Sequence, residues 1–171
     1  MNTSEQHQEK ARKQYPHVHC AIVTISDTRS EDTDTSGKTI RELLMRENHQ
    51  VTHYGILKDE PAQIVAVMRQ LTPRSDVDAI LLNGGTGIGK RDSTVEAVGS
   101  LLDKTLVGFG EIFRMLSYQE IGAAAMLSRA VAGVYQGKLV ICMPGSTHAV
   151  TLAMEKLILP ELAHLVWELR K

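Results

Sequence analysis

Asn83-Gly84-Gly85-Thr86-Gly87-Ile88-Gly89-Lys90-Arg91-Asp92 gathers, in ten residues, the groups that bind and handle phosphate. Gly84, Gly85 and Gly87, with only Thr86 between, let consecutive backbone N–H groups approach an anion closely. The run follows an apolar stretch and precedes a helix signal, which puts it at the carboxyl end of a strand, where phosphate sites form. Two familiar motifs fail here. The dinucleotide pattern G-x-G-x-x-G breaks because Gly87-x-Gly89 is followed three residues later by Asp92. The Walker A pattern fits from Gly84 to Lys90 and then meets Arg91, whose guanidinium cannot replace the Ser or Thr hydroxyl that holds Mg²⁺. What remains is a phosphate cradle with Lys90, Arg91 and Asp92 at its exit. The two cations suit an anionic ligand, and a carboxylate beside phosphates suits Mg²⁺. The plainer alternative is a glycine-rich turn with a solvated charge cluster.

The elements that must hold this loop are legible from periodicity. His17–Ser26 contains Ala21, Ile22, Val23 and Ile25, a near-continuous apolar core typical of a strand covered on both faces. A polar stretch, 26–37, follows. Ser36 can cap a helix through Asn48, with Ile40, Leu43 and Leu44 as its stripe. Gln50–Ile56 reads as a strand, Asp59–Leu71 as a helix with Pro61 in its first turn, and Ala79–Asn83 as a short buried strand. Ser93 and Glu96 have capping-box spacing, which predicts a helix from Thr94 to about Leu102. Gly110–Glu120 is a further predicted helix. Ala130–Tyr135 and Lys138–Met143 flank Gln136-Gly137 as a hairpin. A long helix closes the chain, with Pro160 kinking or restarting it. The alternation predicts an open α/β sheet with helices on both faces. Ligands of such sheets bind beyond the strands' carboxyl ends, so the loops after Ile25, Ile56, Leu82 and Met143 matter most.

Composition narrows the function. At 171 residues the chain fits one domain, with 1–15 expected as a flexible polar lead-in and 16–171 as the folded unit. The 4% aromatic content disfavours a stacking surface for nucleic acid, and a net charge of −1 gives no field that draws DNA or membrane. There is neither an 18-residue apolar run nor a secretory signal, so a cytoplasmic protein is expected. Cys20 and Cys142 lie in apolar runs and read as buried small hydrophobes. The seven histidines are expected to make no metal site: His17 and His19 share a strand face, but no third ligand has suitable spacing.

Taken together, several segments carry a family likeness. They are Ser26-Asp27, Ser36-Gly37, Gly84-Gly85-Thr86-Gly87 with Arg91-Asp92, Gly108-Phe109-Gly110-Glu111, Phe113-Arg114, Ser117, Leu127-Ser128-Arg129 and Pro144-Gly145. In this order they resemble the MoaB/MogA family of molybdenum-cofactor biosynthesis proteins, from about His17 to the carboxyl terminus. The segment Phe109–Gly133 looks closer to the MoaB branch. The resemblance implies a three-layer α/β/α sandwich on a mostly parallel sheet. It implies binding of molybdopterin and MgATP, and transfer of AMP to the pterin's terminal phosphate with release of pyrophosphate. It also implies homo-trimers or hexamers, and a downstream molybdenum-insertion protein that takes the product. A non-catalytic carrier of the same pathway, or an oligomeric scaffold, are the rival readings.

The likeness assigns Asp59 and Asp92 to the adenylylation chemistry, with Mg²⁺ shared between them. Asp59 equally suits a helix N-cap ahead of Pro61. Ser26, Asp27 and Ser36 are then candidates to contact pterin or phosphate, although turn and cap formation account for them as well. Gly84, Gly85, Thr86, Gly87, Lys90 and Arg91 form the phosphate cradle. Pro144, Gly145 and Ser146 open the last helix, whose amino end favours negative charge or simply needs a cap. Ser93 and Thr147 depart from the residues commoner at their positions in the family.

Overall fold

The computed structural model describes residues 3–171. Its centre is a six-stranded sheet made of β1 (His19–Ile25), β2 (Gln50–Leu57), β3 (Ala79–Asn83), β4 (Lys104–Thr105), β5 (Val131–Tyr135) and β6 (Lys138–Met143). The spatial order is β2-β1-β3-β6-β5-β4. β2, β1, β3 and β6 run parallel, while the β5–β6 hairpin and the two-residue β4 form an antiparallel margin. Residues alternate strictly between two cores, as the period-2 geometry of strands requires. Cys20, Ile22, Leu81 and Ile141 face one side, against α2 (Thr35–Arg46), α5 (Val107–Ile121), α6 (Thr147–Ala153) and α7 (Leu159–Leu169). Val23, Ile80, Leu82 and Cys142 face the other, against α3 (Pro61–Leu71) and α4 (Thr94–Gly99). The fold is therefore a three-layer α/β/α sandwich. Both thiols are free and fully buried, and burial pushes the Cys142 thiol up to about 12. Among the described residues no helix is long and apolar enough to cross a membrane.

Three sequence expectations need correction. The lead-in is the first. Met1 and Asn2 lie outside the described residues, but from Thr3 to Gln14 the chain is a helix, α1, docked on α7. Its anchors are Ala11, fully buried, and Gln14, whose Oε1 accepts the Trp167 indole N–H at 2.9 Å. A segment with one buried apolar residue has almost no hydrophobic stripe, so its order comes from tertiary contact that periodicity does not report. The second concerns caps. Asp34, not Ser36, caps α2, its carboxylate accepting the Gly37 amide at 3.0 Å. Ser93 makes no capping bond, and α4 ends at Gly99 rather than Leu102. Third, β4 and the 3₁₀ segment Gly122–Leu127 were not expected. Two residues are too few to show a strand period.

Pro160 restarts the closing helix. Its missing N–H and its ring bulk cannot continue a regular α-helical ladder, and a π turn at Met154–Ile158 absorbs the mismatch before α7 begins.

Asp34 also anchors the polar floor under the sheet's carboxyl edge. It is fully buried, and Oδ2 accepts the Thr24 hydroxyl at 2.6 Å and the Tyr54 hydroxyl at 2.6 Å. Burial works to raise this carboxyl's pKa, but hydrogen bonds from Thr24, Tyr54 and Gly37 outweigh it and hold the group below the usual carboxylate range. A group depressed on folding contributes stability above its unfolded pKa and loses it as pH falls through the folded value. Asp34→Ala is expected to cost about 3 kcal/mol in urea denaturation at neutral pH. The gap between wild type and variant should begin to shrink below about pH 4, where the carboxyl of the unfolded chain takes up its proton, and should keep shrinking as pH falls through the lower folded value.

Candidate functional site

Three parallel strands end at the same place, and glycine lets them close. The Gly84 amide donates to the Met143 carbonyl at 3.0 Å, which joins the end of β3 to the end of β6. A Cβ on Gly84, whose φ is +97°, would stand 2.2 Å from the Ile25 carbonyl oxygen at the end of β1. A Cβ on Gly145 would stand 2.9 Å from the Gly84 Cα. No larger residue fits at either position without parting the strands. The loops they release surround an open cavity of about 360 Å³.

The sequence candidates divide around this cavity. Ser26, Gly84, Gly85, Thr86, Gly87, Asp92, Gly145 and Ser146 line it. Pro144 lines the neighbouring hollow instead. Ser36 lies beneath the floor, fully buried; its hydroxyl donates to Asn83 Oδ1 at 2.8 Å and accepts from the Arg29 guanidinium. Ser26 closes a local turn, its hydroxyl accepting the Arg29 amide at 3.1 Å. Ser146 caps α6, accepting the Ala149 amide at 3.2 Å. Lys90 is exposed and does not line the cavity.

Arg91 turns to its own protein's acids. Its Nε and Nη2 donate to Asp27 at 3.1 and 3.0 Å, and its Nη1 donates to Glu60 at 2.9 Å. This fork, with the Asp59 amide donating to Asp27 Oδ1 at 3.1 Å, holds the Asp27 carboxyl below its ordinary range. The loop after β1, the loop after β2 and the exit of the glycine loop are thereby tied together.

The two catalytic candidates stand against different glycines of the loop, Asp59 against Gly85 and Asp92 against Gly87 and Gly89. Asp92 lines the cavity; its Oδ2 accepts the Gly89 amide at 2.8 Å and a Cβ on Gly87 would meet it at 2.6 Å. Asp59 is 6% exposed and sits behind Gly85. Its Oδ1 accepts the Ser93 amide at 3.2 Å and the Ser93 hydroxyl at 2.6 Å. Asp59 is not a helix cap, since Glu60 holds that position of α3. A Cβ on Gly85 would meet Asp59 Oδ2 at 2.3 Å and Thr94 Oγ1 at 2.2 Å. That Thr94 hydroxyl is buried without a hydrogen-bond partner. Gly85, at φ +62°, therefore covers a pair of oxygens that retain bonding capacity.

Sequence reasoning passed over Arg29, Asn83 and Thr94. Arg29 is the cation on the cavity wall, and its guanidinium also donates to the Gly145 carbonyl at 2.8 Å. One arginine in a polar loop has no pattern to mark it. Arg129 braces the cradle from outside, with Nε on the Thr86 carbonyl at 2.8 Å and a two-pronged pair to Glu96 at 2.5 and 3.0 Å.

Residues 21–164 match the family described as "Probable molybdopterin binding domain". The chain is 58% identical to molybdenum cofactor biosynthesis protein B of Halalkalibacterium halodurans over 168 residues, 98% of this chain and 97% of that one. The chain belongs to the MoaB/MogA family. A crystal structure of a molybdenum cofactor biosynthesis protein B superposes with a TM-score of 0.88 at 57% identity, covering 90% of this chain and 96% of the other. The tungsten cofactor synthesizing protein MoaB from Pyrococcus furiosus gives 0.82 at 34% identity, covering 91% and 98%. The MoaB/MogA fold and the α/β/α layers derived above are the same architecture.

The crowded glycine supplies a test. Gly85→Ala is expected to destabilise the protein by about 2 kcal/mol, through both the positive φ and the collision with Asp59 and Thr94. Gly99→Ala, in a helix where a Cβ meets nothing within 4 Å, should be neutral or stabilising by up to about 1 kcal/mol. Parallel urea titrations of the two variants read the difference.

Proposed function

We propose that this protein acts in molybdenum cofactor biosynthesis in the cytoplasm, binding molybdopterin and MgATP at the strand-end cavity and transferring AMP to the pterin's terminal phosphate. In that reaction a phosphate oxygen of molybdopterin forms a bond to the α-phosphorus of ATP. The bond between that phosphorus and the oxygen bridging to the β-phosphate breaks, and pyrophosphate leaves with the electron pair. The observation that carries the reading is the glycine cradle closed by three strand ends, with Asp92 and Arg29 on the cavity wall. The backbone N–H groups at Gly85–Gly87 are the candidate phosphate donors. Arg29 offers a fixed guanidinium, oriented by Ser36 and Gly145 and paired from beneath with the Asp34 carboxylate. Positioning and charge neutralisation supply most of the catalysis in phosphoryl chemistry, and nucleotidyl transfer is argued by analogy.

The oxygen donors fit a hard cation: Asp59 Oδ2 and the unpartnered Thr94 hydroxyl lie together on one side of Gly85, and Asp92 lies against Gly87 of the same loop. Asp59 and Asp92 would hold Mg²⁺, which when bound offsets the repulsion between two anionic substrates. Asp27 and Arg91 act through this arrangement by fixing the loops, Ser26 and Ser146 line the same cavity, and Lys90 and Pro144 stand outside it.

A second reading, a molybdopterin carrier without catalysis, is favoured by one observation: Asp92 and Asp59 each already serve their own loop, through Gly89 and Ser93. Asp92→Asn preserves an acceptor for the Gly89 amide while removing the charge. The variant is expected to melt as the wild type does and to lose at least about 100-fold in pyrophosphate release with molybdopterin and MgATP. Undiminished turnover ends the catalytic assignment. Absence of turnover in wild type, with molybdopterin still bound, favours the carrier.

We also propose a homo-trimer or a hexamer of two trimers, delivering product to a molybdenum-insertion protein. The support is the apolar face of α5 and the following 3₁₀ segment, where Ile112, Met115, Tyr118, Ile121, Met126 and Leu127 are 46–79% exposed. Light scattering on the purified protein should give a multiple of three chains, and Met115→Glu should reduce it to monomers.

A further inference from the structure

The helix that docks the amino end of the chain brings a histidine to two residues of the carboxyl end. One ligand atom from each of His7 on α1 and His164 and Glu168 on α7 lies within 4.8 Å of the others. Their separation in sequence hides this set completely. The spacing of the histidines offers no third ligand, because the partner arrives across a tertiary contact.

The chemistry of His164 shows which way the set faces. Its Nδ1 lies 2.8 Å from Glu161 Oε2, a contact in which the ring donates to the carboxylate. In the neutral ring that bond puts the lone pair on Nε2, the form a metal would take. The Nε2 atom is buried without a hydrogen-bond partner, 3.4 Å from Glu168 Oε1. A metal-bound imidazole ordinarily donates its other N–H to a carboxylate, which fixes the tautomer and raises its basicity. Glu161 holds His164 in that form, and Gln8 of α1 donates to the other oxygen of Glu161. The His7 ring stands 6.1 Å from the His164 ring, centroid to centroid, and Trp167 packs beside both at 5.5 and 5.9 Å. Lys171 occupies Glu168 Oε1 at 2.5 Å, and it is a hydrogen-bond competitor that a cation must meet.

We propose that His7, His164 and Glu168 form a binding site for a late first-row divalent cation, of which Zn²⁺ is the type, pinning α1 to α7. Two imidazole nitrogens and one carboxylate are a recognised Zn²⁺ donor set, with a fourth position left to water. Zn–ligand bonds of about 2.0–2.2 Å place tetrahedral ligand atoms about 3.4 Å apart, the spacing His164 Nε2 and Glu168 Oε1 already have, and atoms at the 4.8 Å limit of the set need to close by roughly an ångström. Rotation of the His7 and Glu168 side chains supplies such a movement. The site lies on helices remote from the strand-end cavity, and its role is structural.

Trp167 is the sole tryptophan of the chain, so its fluorescence reports this site alone. Tag-free full-length protein, stripped with chelator, is titrated with Co²⁺ or Ni²⁺ while Trp167 emission is followed, and with Zn²⁺ while the melting temperature is followed. Saturable quenching at one equivalent and a Zn²⁺-dependent rise in Tm are expected. His7→Gln and Glu168→Gln should abolish both, while leaving the melting temperature in chelator unchanged within error. Glu161→Gln should weaken binding roughly 10- to 100-fold. The proposal is overturned if wild type shows no saturable quenching. It is equally overturned if His7→Gln binds as tightly as wild type, since the metal would then sit on other histidines.

Discussion

The closure of three strand ends on one glycine is the constraint from which the rest of the candidate site follows. Gly84 meets the Ile25 carbonyl on one side and Gly145 on the other. Because β1, β3 and β6 are parallel, all three release their loops at the same edge. The cavity is therefore a product of topology. Had β6 run antiparallel to β3, Met143 would have ended at the far edge and Gly145 would have been remote from the cradle. The polar floor serves the same closure. Thr24, Asp34, Ser36 and Asn83 exchange hydrogen bonds below the loops, and Arg29 reaches from that floor to the Gly145 carbonyl. A floor so fully bonded resists rotation of its members, which keeps the walls above it in one arrangement.

Charge in this region is organised by neutralisation in place. Arg91 is committed to Asp27 and Glu60, and Arg129 to Glu96. Such exposed pairs add little to stability individually. Their effect is geometric: each ties a loop to a neighbouring loop, so that the glycine run between them has its two ends fixed. Lys90 is left outside these pairs, and Arg29, the one cation lining the cavity among the described residues, is itself paired with the buried Asp34 carboxylate at 3.4 Å.

Much of this was legible in the chain itself. The β1 and β3 runs are apolar without alternation, which announces strands covered on both faces, and the structure has helices on both. Gln136 and Gly137 do form the hairpin turn, at φ +47° and +73°. The glycine loop was found because small residues in that density have few structural uses. The limits are equally physical. α1 has one buried alanine and no stripe, so only contact with α7 orders it. Asp34 and Ser36 are both good cap residues, and the local sequence does not reveal which carboxylate or hydroxyl the Gly37 amide will meet. Arg29 gains its importance from a carbonyl 116 positions away. Thr94 looks like the first residue of a helix and nothing more, until Gly85 brings Asp59 beside it.

The sheet also divides the sulfur chemistry of the molecule. Cys20 projects into the core beneath α2 and α7, Cys142 into the one beneath α3 and α4, and a layer of backbone lies between. No intramolecular bridge can span that partition while the strands stay paired. Neither thiol reaches solvent, so oxidants and alkylating agents meet a cysteine only in molecules that have opened, whereas the methionine sulfurs of Met45, Met115 and Met126 lie exposed in the folded protein. The two thiols of the native fold are thus blind to the redox state of its surroundings, a property that follows from which way two side chains point along a pleat.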